Sequence, residues 1–224
     1  MRRLVAALAL AVLVASCAPA GGASAGRTVR ILAGTPTSLD PAVQGDAASA
    51  AISAQLFESL TAFDADLQLR PALAESWKFD ETGQRVTFHL RPDLAFSDGS
   101  PLRPSDVVRS WLRIIDPGQP SPLASLAVDI RGAEAYLRGQ ATDPASVGLH
   151  ADDAANDVVV ELTRPASDFP NIVAGPTFAV VPPGLGQDSD ALLPGDGFVA
   201  SGGFVLSGAS DTGLTLTANP RYWA

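Results

Sequence analysis

The side chains most able to do chemistry in this chain are few and lie far apart. Cys17 is the only cysteine, so a disulfide within the chain is excluded, and the histidines are His89 and His150. His89 sits in an alternating apolar segment, where a hydrogen-bonded structural histidine is expected. His150 stands near Asp152 and Asp153, but a metal ion would need more ligands than this stretch provides. We therefore predict no metal site and no cofactor.

Motifs of catalytic sites do not support an enzyme. The sequence holds no HExxH zinc motif and no phosphate-binding P-loop. Glycines cluster at 184–186 and 195–203, with the spacing of long loops rather than of a phosphate cradle. Trp111 is expected in the core and not as a stacking platform. We predict that the chain is not an enzyme.

The first residues are typical of an export signal. Met1–Arg3 is basic, and residues 4–14 form an apolar run shorter than the ~20 residues of a membrane-spanning helix. Val14-Ala15-Ser16-Cys17 then resembles a bacterial lipobox, whose cysteine carries lipid as the first mature residue. We predict a lipoprotein signal peptide over 1–16, lipid attachment at Cys17 and a flexible tether over 17–27. An ordinary signal peptide with a chance cysteine is the alternative.

Charge argues against two classes of partner. The formal net charge is −9, and removal of Arg2 and Arg3 would leave 13 basic against 24 acidic side chains, a net charge of −11. Because nucleic acid binds to basic surfaces, we expect no nucleic-acid partner. Adhesion to anionic lipid by charge is disfavoured for the same reason, so an acyl chain would be the membrane contact.

Short strand and helix patterns alternate through the rest of the chain and predict a mixed α/β (α+β) fold. Ser105 is expected to cap a helix over 106–115. A helical pattern over 130–139 is expected to end at Gly139. The other predicted elements are strands at Thr28–Leu32, Arg85–Leu90, Asp157–Leu162, Gly202–Leu206 and Leu214–Ala218, and a helix within Ala47–Leu60.

Short sequence landmarks follow one another from Ser38 to Trp223. They are Ser38-Leu39-Asp40-Pro41, Leu56-Phe57-Glu58-Ser59-Leu60, Ala74-Glu75-Ser76-Trp77, Thr87-Phe88-His89-Leu90-Arg91, Phe96-Ser97-Asp98-Gly99-Ser100-Pro101, Asp106-Val107-Val108, Gly202-Gly203-Phe204 and Asn219-Pro220-Arg221-Tyr222-Trp223. Each landmark is weak alone, but their order and spacing are specific together, and they resemble the family 5 extracellular solute-binding proteins of ABC importers. The middle segment, including Ser121-Pro122-Leu123-Ala124-Ser125, resembles the oligopeptide-binding branch.

The resemblance implies the first lobe of a class II periplasmic-binding-protein-like fold, with a small extra subdomain and the second lobe missing. On this reading, residues 28–57 and 176–224 form the lobe I core, and residues 58–175 form the inserted subdomain. Members of the family are more than twice this long and close two lobes around a hinge. We therefore expect that this chain alone does not close on a ligand with full affinity.

The resemblance also implies a function and a site. The function is capture of oligopeptides for the permease subunits and cytoplasmic ATPases of an ABC importer, by an exported monomer anchored through lipid to the outer face of the cytoplasmic membrane. Carried over to this chain, the backbone lining the peptide cleft comes from Gly45, Asp46 and Ala47 and from Leu123 and Ala124. Receptors for another solute (dipeptide, nickel or sugar) and a lipid-anchored sensor or scaffold are the alternatives.

Overall fold

The computed structural model describes residues 28–185 and 198–224. The predicted signal peptide, Cys17 and the tether lie outside the described residues. Residues 28–33 contain no strand, so the strand expected at Thr28–Leu32 is wrong. The expectation rested on alternation alone, and alternation does not supply the hydrogen-bonded neighbour that a strand needs.

Helices and strands alternate from residue 47 onward. The helices are α1 (Ala47–Leu56), α2 (Pro104–Ile114), α3 (Ala133–Leu137) and α4 (Phe169–Ile172), with 3-10 turns at Ala124–Ala127, Pro144–Ser146 and Pro176–Phe178. The strands are β1 (Thr61–Phe63), β2 (Leu69–Pro71), β3 (Ala74–Phe79), β4 (Arg85–Leu90), β5 (Leu149–Asp152), β6 (Asp157–Glu161), β7 (Phe204–Ser210) and β8 (Gly213–Ala218). None of the helices in these ranges is long and apolar enough to cross a membrane.

A four-stranded antiparallel sheet in the order β3-β4-β6-β5 forms the centre of the fold. On β4, Val86, Phe88 and Leu90 are buried while the residues between them are partly or fully exposed, the alternation expected of a sheet with one covered face. The register pairs Phe88 with Val158 and Val86 with Val160, so both strands point their apolar side chains to the same side. Two further antiparallel pairs, β1-β2 and β7-β8, lie outside this sheet.

Helix α2 places Trp111 in the centre of the main apolar cluster, where the indole is 1% exposed. The rings of Phe88, Phe169 and Phe178 surround it, with centroids 6.4, 6.2 and 5.3 Å away in edge-on arrangements. Trp111 Nε1 donates a hydrogen bond of 2.8 Å to the Phe178 carbonyl, so burial leaves no orphan donor. The expected core position of Trp111 is confirmed.

The start of α2 differs from the expectation. The helix begins at Pro104 with Arg103 at the N-cap, so Ser105 lies inside the first turn and is not the cap. Proline is favoured at the first helical position because its missing N–H would be unpaired there in any case. Asp106 Oδ2 accepts from Arg103 N at 3.0 Å, and Ser105 donates through its amide and hydroxyl to Asp153, both at 2.9 Å.

A smaller apolar cluster joins the α1 region to the segments at 179–185 and 198–206. Its buried members are Leu39, Leu56, Phe57, Ala179, Val181, Leu185, Phe198, Ala200 and Leu206. Helix α1 ends at Leu56, four residues earlier than the outer limit of the predicted helix, because Phe57 turns to extended backbone (φ −130°, ψ 140°) and enters this cluster. The predicted division at residues 58 and 175 stays a prediction.

Glu58 lies between the two clusters and is held by the segment 219–223. The Tyr222 hydroxyl donates to Glu58 Oε2 at 2.6 Å, and Arg91 stacks over the Trp223 ring, 3.9 Å from its centroid. Burial raises the pKa of Glu58 above the ordinary value of 4.5, against the opposing effects of the Tyr222 hydrogen bond and the Arg91 charge. Burial, together with the same hydrogen bond, also raises the pKa of Tyr222.

Replacement of Trp111 by Phe should lower the free energy of unfolding by about 3 kcal/mol, because it leaves a cavity and an unpaired Phe178 carbonyl. The measurement is urea unfolding followed by circular dichroism. Trp77→Phe is the matched control, since Trp77 is only partly buried against the same cluster. Equal losses for the two variants would contradict the central role of Trp111.

Glu58 should lower the free energy of unfolding as pH rises. Because its folded-state pKa is raised, its stabilising contribution is fully present below pH 4.5 and is lost as pH rises through the folded-state pKa. The unfolding free energy of wild type minus that of Glu58→Gln should therefore fall between about pH 4 and about pH 8. Glu81→Gln, at an exposed position, is the control, and a difference for Glu58→Gln that is the same at both pH values would refute this.

Candidate ligand-binding site

Asp46 is the N-cap of α1, and Gly45 and Ala47 flank it. The Asp46 carboxylate accepts hydrogen bonds from the Ser49 amide at 2.9 Å, the Ser49 hydroxyl at 2.5 Å and the Thr37 hydroxyl at 2.5 Å. The Ser49 and Thr37 hydroxyls hold the pKa of Asp46 well below its usual range. The carboxylate is therefore ionised and engaged in holding the helix start, where the helix dipole also favours a negative charge.

Because that carboxylate serves the cap, main-chain groups are what this segment can offer to a ligand. Ala47 is the first helical residue, and the amides of the first turn have no partner within the helix. A helix start therefore presents N–H donors, which suit the carbonyl or carboxylate oxygens of a bound molecule.

A buried ion pair fixes the loop before α1. Asp40 is almost fully buried, its Oδ1 accepts from Ala42 N at 2.9 Å, and its Oδ2 pairs with Arg113 of α2. The amides of Val43 and Gln44 both donate to the Asp40 carbonyl. The loop is therefore a hydrogen-bonded turn that Asp40 attaches to α2.

The second predicted segment follows α2 directly. Ser121 N donates to the Ile114 carbonyl at 3.0 Å, and the Ser121 hydroxyl accepts from Leu123 N at 3.1 Å. Ala124 is buried, whereas Leu123 is 37% exposed. The same helix that holds Asp40 thus also fixes the segment that carries Leu123 and Ala124.

The structure brings the two predicted segments together. A Cβ placed on Gly45 would lie 3.5 Å from both Cβ and Cγ of Pro122, an ordinary van der Waals distance, so Gly45 lies beside Pro122 with space for a methyl group between them. Gly45 to Ala47 and Leu123 with Ala124 therefore belong to one neighbourhood, because Gly45 lies beside Pro122 and Arg113 of α2 pairs with Asp40 in the loop before α1. Their contact with a ligand stays a prediction.

Sequence reasoning missed three residues of this neighbourhood. Gln44 is 1% exposed, and among the residues that the structure describes its Oε1 has no hydrogen-bond partner, an unusual state for a buried acceptor. Arg113 was not assigned a partner, and Leu126 was not singled out, although it stands three residues after Leu123. The spacing of the two leucines was a usable signal, but the pairing of Arg113 with a residue 73 positions away was not.

A depression of about 280 Å³ lies on the outer face of α2, with Val108, Leu112, Arg113, Tyr136 and Pro144 among its lining residues. Arg113 thus borders both this depression and the candidate site, but none of the predicted ligand-binding residues lines the depression. Within residues 28–185 and 198–224, no group of three or more His, Cys, Asp or Glu side chains could hold a metal ion.

These residues form a mixed α/β lobe in which one helix, α2, holds both loop segments. Residues 68–224 match the family described as bacterial extracellular solute-binding proteins, family 5 Middle. The chain belongs to this family, which is one of substrate-binding proteins and not of enzymes. The predictions of family and of fold class are confirmed.

Several relatives share the fold over most of this chain. The probable deoxycholate-binding periplasmic protein YgiS of Escherichia coli is 35% identical over 84% of this chain and 35% of its own length. The periplasmic oligopeptide-binding protein OppA of Escherichia coli is 34% identical over 99% of this chain and 42% of its own. The solved Escherichia coli murein tripeptide binding protein MppA superposes with a TM-score of 0.80 at 30% identity, over 86% of this chain and 38% of that one. The chain thus spans well under half the length of these relatives.

Breaking the buried ion pair should cost more than removing it. Arg113→Met leaves the buried Asp40 carboxylate unpaired, so the unfolding free energy should fall by about 3 kcal/mol. The double variant Asp40→Asn with Arg113→Met should lose less, because it leaves no buried charge without a partner.

The matched control for this cycle is the exposed pair Arg138–Glu134 on α3, whose side chains are 62% and 60% exposed. Arg138→Met should change the unfolding free energy by less than about 1 kcal/mol. Urea unfolding of wild type, Asp40→Asn, Arg113→Met and the double variant measures the cycle, and Arg138→Met is measured beside them. A double variant less stable than Arg113→Met would show that the pair does not act as a unit.

Proposed function

We propose that this protein is the substrate-binding receptor of an ABC importer that captures oligopeptides outside the cytoplasmic membrane and delivers them to its permease. The observation that carries this proposal is the position of two segments, at Gly45–Ala47 and at Leu123–Ala124, beside each other and held by one helix. The names of several relatives, among them the oligopeptide-binding OppA and the murein peptide-binding MppA, support peptide as the solute.

The mode of binding follows from which groups remain available. An extended peptide has one N–H and one C=O per residue, and these pair with main-chain groups whatever the side chains are. Asp46 and Asp40 are occupied by internal contacts, so they hold the segments and leave recognition to the backbone. A receptor built in this way accepts many peptide sequences.

The proposal includes the location and the partners of the protein. Residues 1–16 would direct export, Cys17 would carry the lipid and residues 17–27 would form the tether. Residues 58–175 would be the subdomain inserted into lobe I. The receptor would act as a monomer, without a cofactor, beside permease subunits and cytoplasmic ATPases. Periplasmic relatives are consistent with a position outside the cytoplasm. Closure of two lobes around the ligand is the general mechanism of such receptors.

One relative favours a second candidate solute. The name of YgiS describes a probable deoxycholate-binding protein, and its identity to this chain is as high as that of the peptide-binding relatives. A receptor for deoxycholate or for another solute, such as a dipeptide, nickel or a sugar, would use the same lobe. A lipid-anchored sensor or scaffold is the candidate from a different class.

Substitution of Ala47 by proline tests the main-chain mode. Proline is well tolerated at the first helical position, and the extended backbone of Asp46 (φ −128°, ψ 158°) suits a following proline. The change therefore removes one N–H with little effect on the fold. We expect about tenfold weaker binding of a tripeptide, the loss of one hydrogen bond, with unchanged unfolding free energy.

Isothermal titration of the full-length protein with the tripeptide measures this effect. Ala47→Ser keeps the N–H and is the control, with affinity expected within about twofold of wild type. Deoxycholate is titrated in parallel. Binding of deoxycholate without binding of any tripeptide would replace the proposed solute, and binding of neither would favour the sensor or scaffold.

A further inference from the structure

The 3-10 turn at Ala124–Ala127 separates two kinds of side chain. In a 3-10 helix, residues three apart stand directly above one another. Ala124 and Ala127 are 6% and 1% exposed and face the core, whereas Leu123 and Leu126 are 37% and 41% exposed. The two leucines therefore form one column on the outer side of the turn, which we call the leucine ridge.

The sequence around the leucine ridge carries little charge, and Asp129, three residues after Leu126, is paired with Arg164 through hydrogen bonds of 3.0 and 2.6 Å. Residues 121–128 and residues 41–45 contain no ionisable side chain, although the whole chain carries a net charge of −9. The acidic residues beside 41–45 are Asp40, which pairs with Arg113, and Asp46, whose carboxylate is taken up by Ser49 and Thr37.

The leucine ridge is continuous with the candidate ligand-binding site. Leu123 follows Pro122, which lies beside Gly45, and the Leu123 amide is fixed by the Ser121 hydroxyl at 3.1 Å. The alanines beneath it are packed, so the ridge is held in place by the core and cannot turn inward to hide its leucines. A ligand that follows the backbone at Gly45–Ala47 therefore meets an aliphatic surface beside it.

We propose that the leucine ridge is the apolar wall of the ligand site and selects peptides that place an aliphatic side chain against it. This inference rests on the proposed function, since it adds a side-chain preference to a site that otherwise reads only the peptide backbone. The physical basis is that contact between an aliphatic side chain and the ridge removes apolar area of both partners from water. A polar side chain does not gain this stabilisation. A charged side chain would lose part of its hydration without finding a partner.

The test compares tripeptides that differ only at the middle residue. The full-length protein is titrated with Ala-Leu-Ala, Ala-Ser-Ala and Ala-Lys-Ala. Burial of most of one leucine side chain predicts about tenfold tighter binding of Ala-Leu-Ala than of Ala-Ser-Ala. Leu126→Asn and Leu123→Asn should each reduce this preference, and the double variant should bring it to within about twofold.

Two further variants act as controls. Leu126→Met keeps an apolar side chain of similar volume and should retain the preference. Phe204→Asn changes another exposed apolar residue, 41% exposed on β7, and should leave the preference unchanged. Urea unfolding of each variant reports whether the fold is intact.

The outcomes separate the inference from the proposed function. If tripeptides bind without an aliphatic preference, or if the preference survives in the double variant, the leucine ridge is not the wall and the receptor function stands. If the asparagine variants lower the unfolding free energy and leave the preference intact, the ridge is a packing surface for another part of the protein, and the inference is wrong. If no tripeptide binds, the proposed function fails and the inference fails with it.

Discussion

The burial of Trp111 is the contact on which the described fold depends. Its ring touches aromatic side chains from β4, α4 and the turn at Pro176–Phe178, and its N–H is satisfied by the Phe178 carbonyl. Once this indole is seated, the rotation of α2 about its axis is fixed. Ser110 and Arg109 then face the segment at 181–182, where the Ser110 hydroxyl accepts from Val181 N and Arg109 donates to the Val181 carbonyl.

The same rotation places the candidate site. Arg113, two residues after Trp111, pairs with Asp40. At the end of the helix, the Ile114 carbonyl accepts a hydrogen bond from Ser121 N. Two loops that are about 80 residues apart in the sequence are thereby attached to one helix that cannot turn. Preorganisation of this kind lowers the entropic cost of binding, because the groups that meet the ligand are already ordered.

Parts of this arrangement were predictable from local sequence and parts were not. The β4 strand at Arg85–Leu90 was predicted with its observed bounds because alternation and flanking turns agree there. The predicted cap at Ser105 is wrong because Pro104, beside it, occupies the first helical position. The predicted strand at Thr28–Leu32 is wrong because alternation carries no information about a partner strand. The position of Gly45 beside Pro122 follows from tertiary packing, which no periodicity encodes, and only the family resemblance places both segments in one cleft.

Residue 58 shows how the two apolar clusters are kept in register. The Glu58 carbonyl accepts from Val180 N at 2.8 Å, its amide donates to the Ser201 hydroxyl at 3.0 Å, and its carboxylate receives the Tyr222 hydroxyl. Three distant segments therefore meet the backbone and side chain of one residue, which stands where the chain leaves the smaller cluster for the larger one. Hydrogen bonds have strict geometry, whereas apolar packing alone tolerates sliding. Polar groups at this junction thus convert two separately packed clusters into one body, and the loop that follows Leu39, a member of the smaller cluster, keeps a fixed position relative to α2 in the larger one.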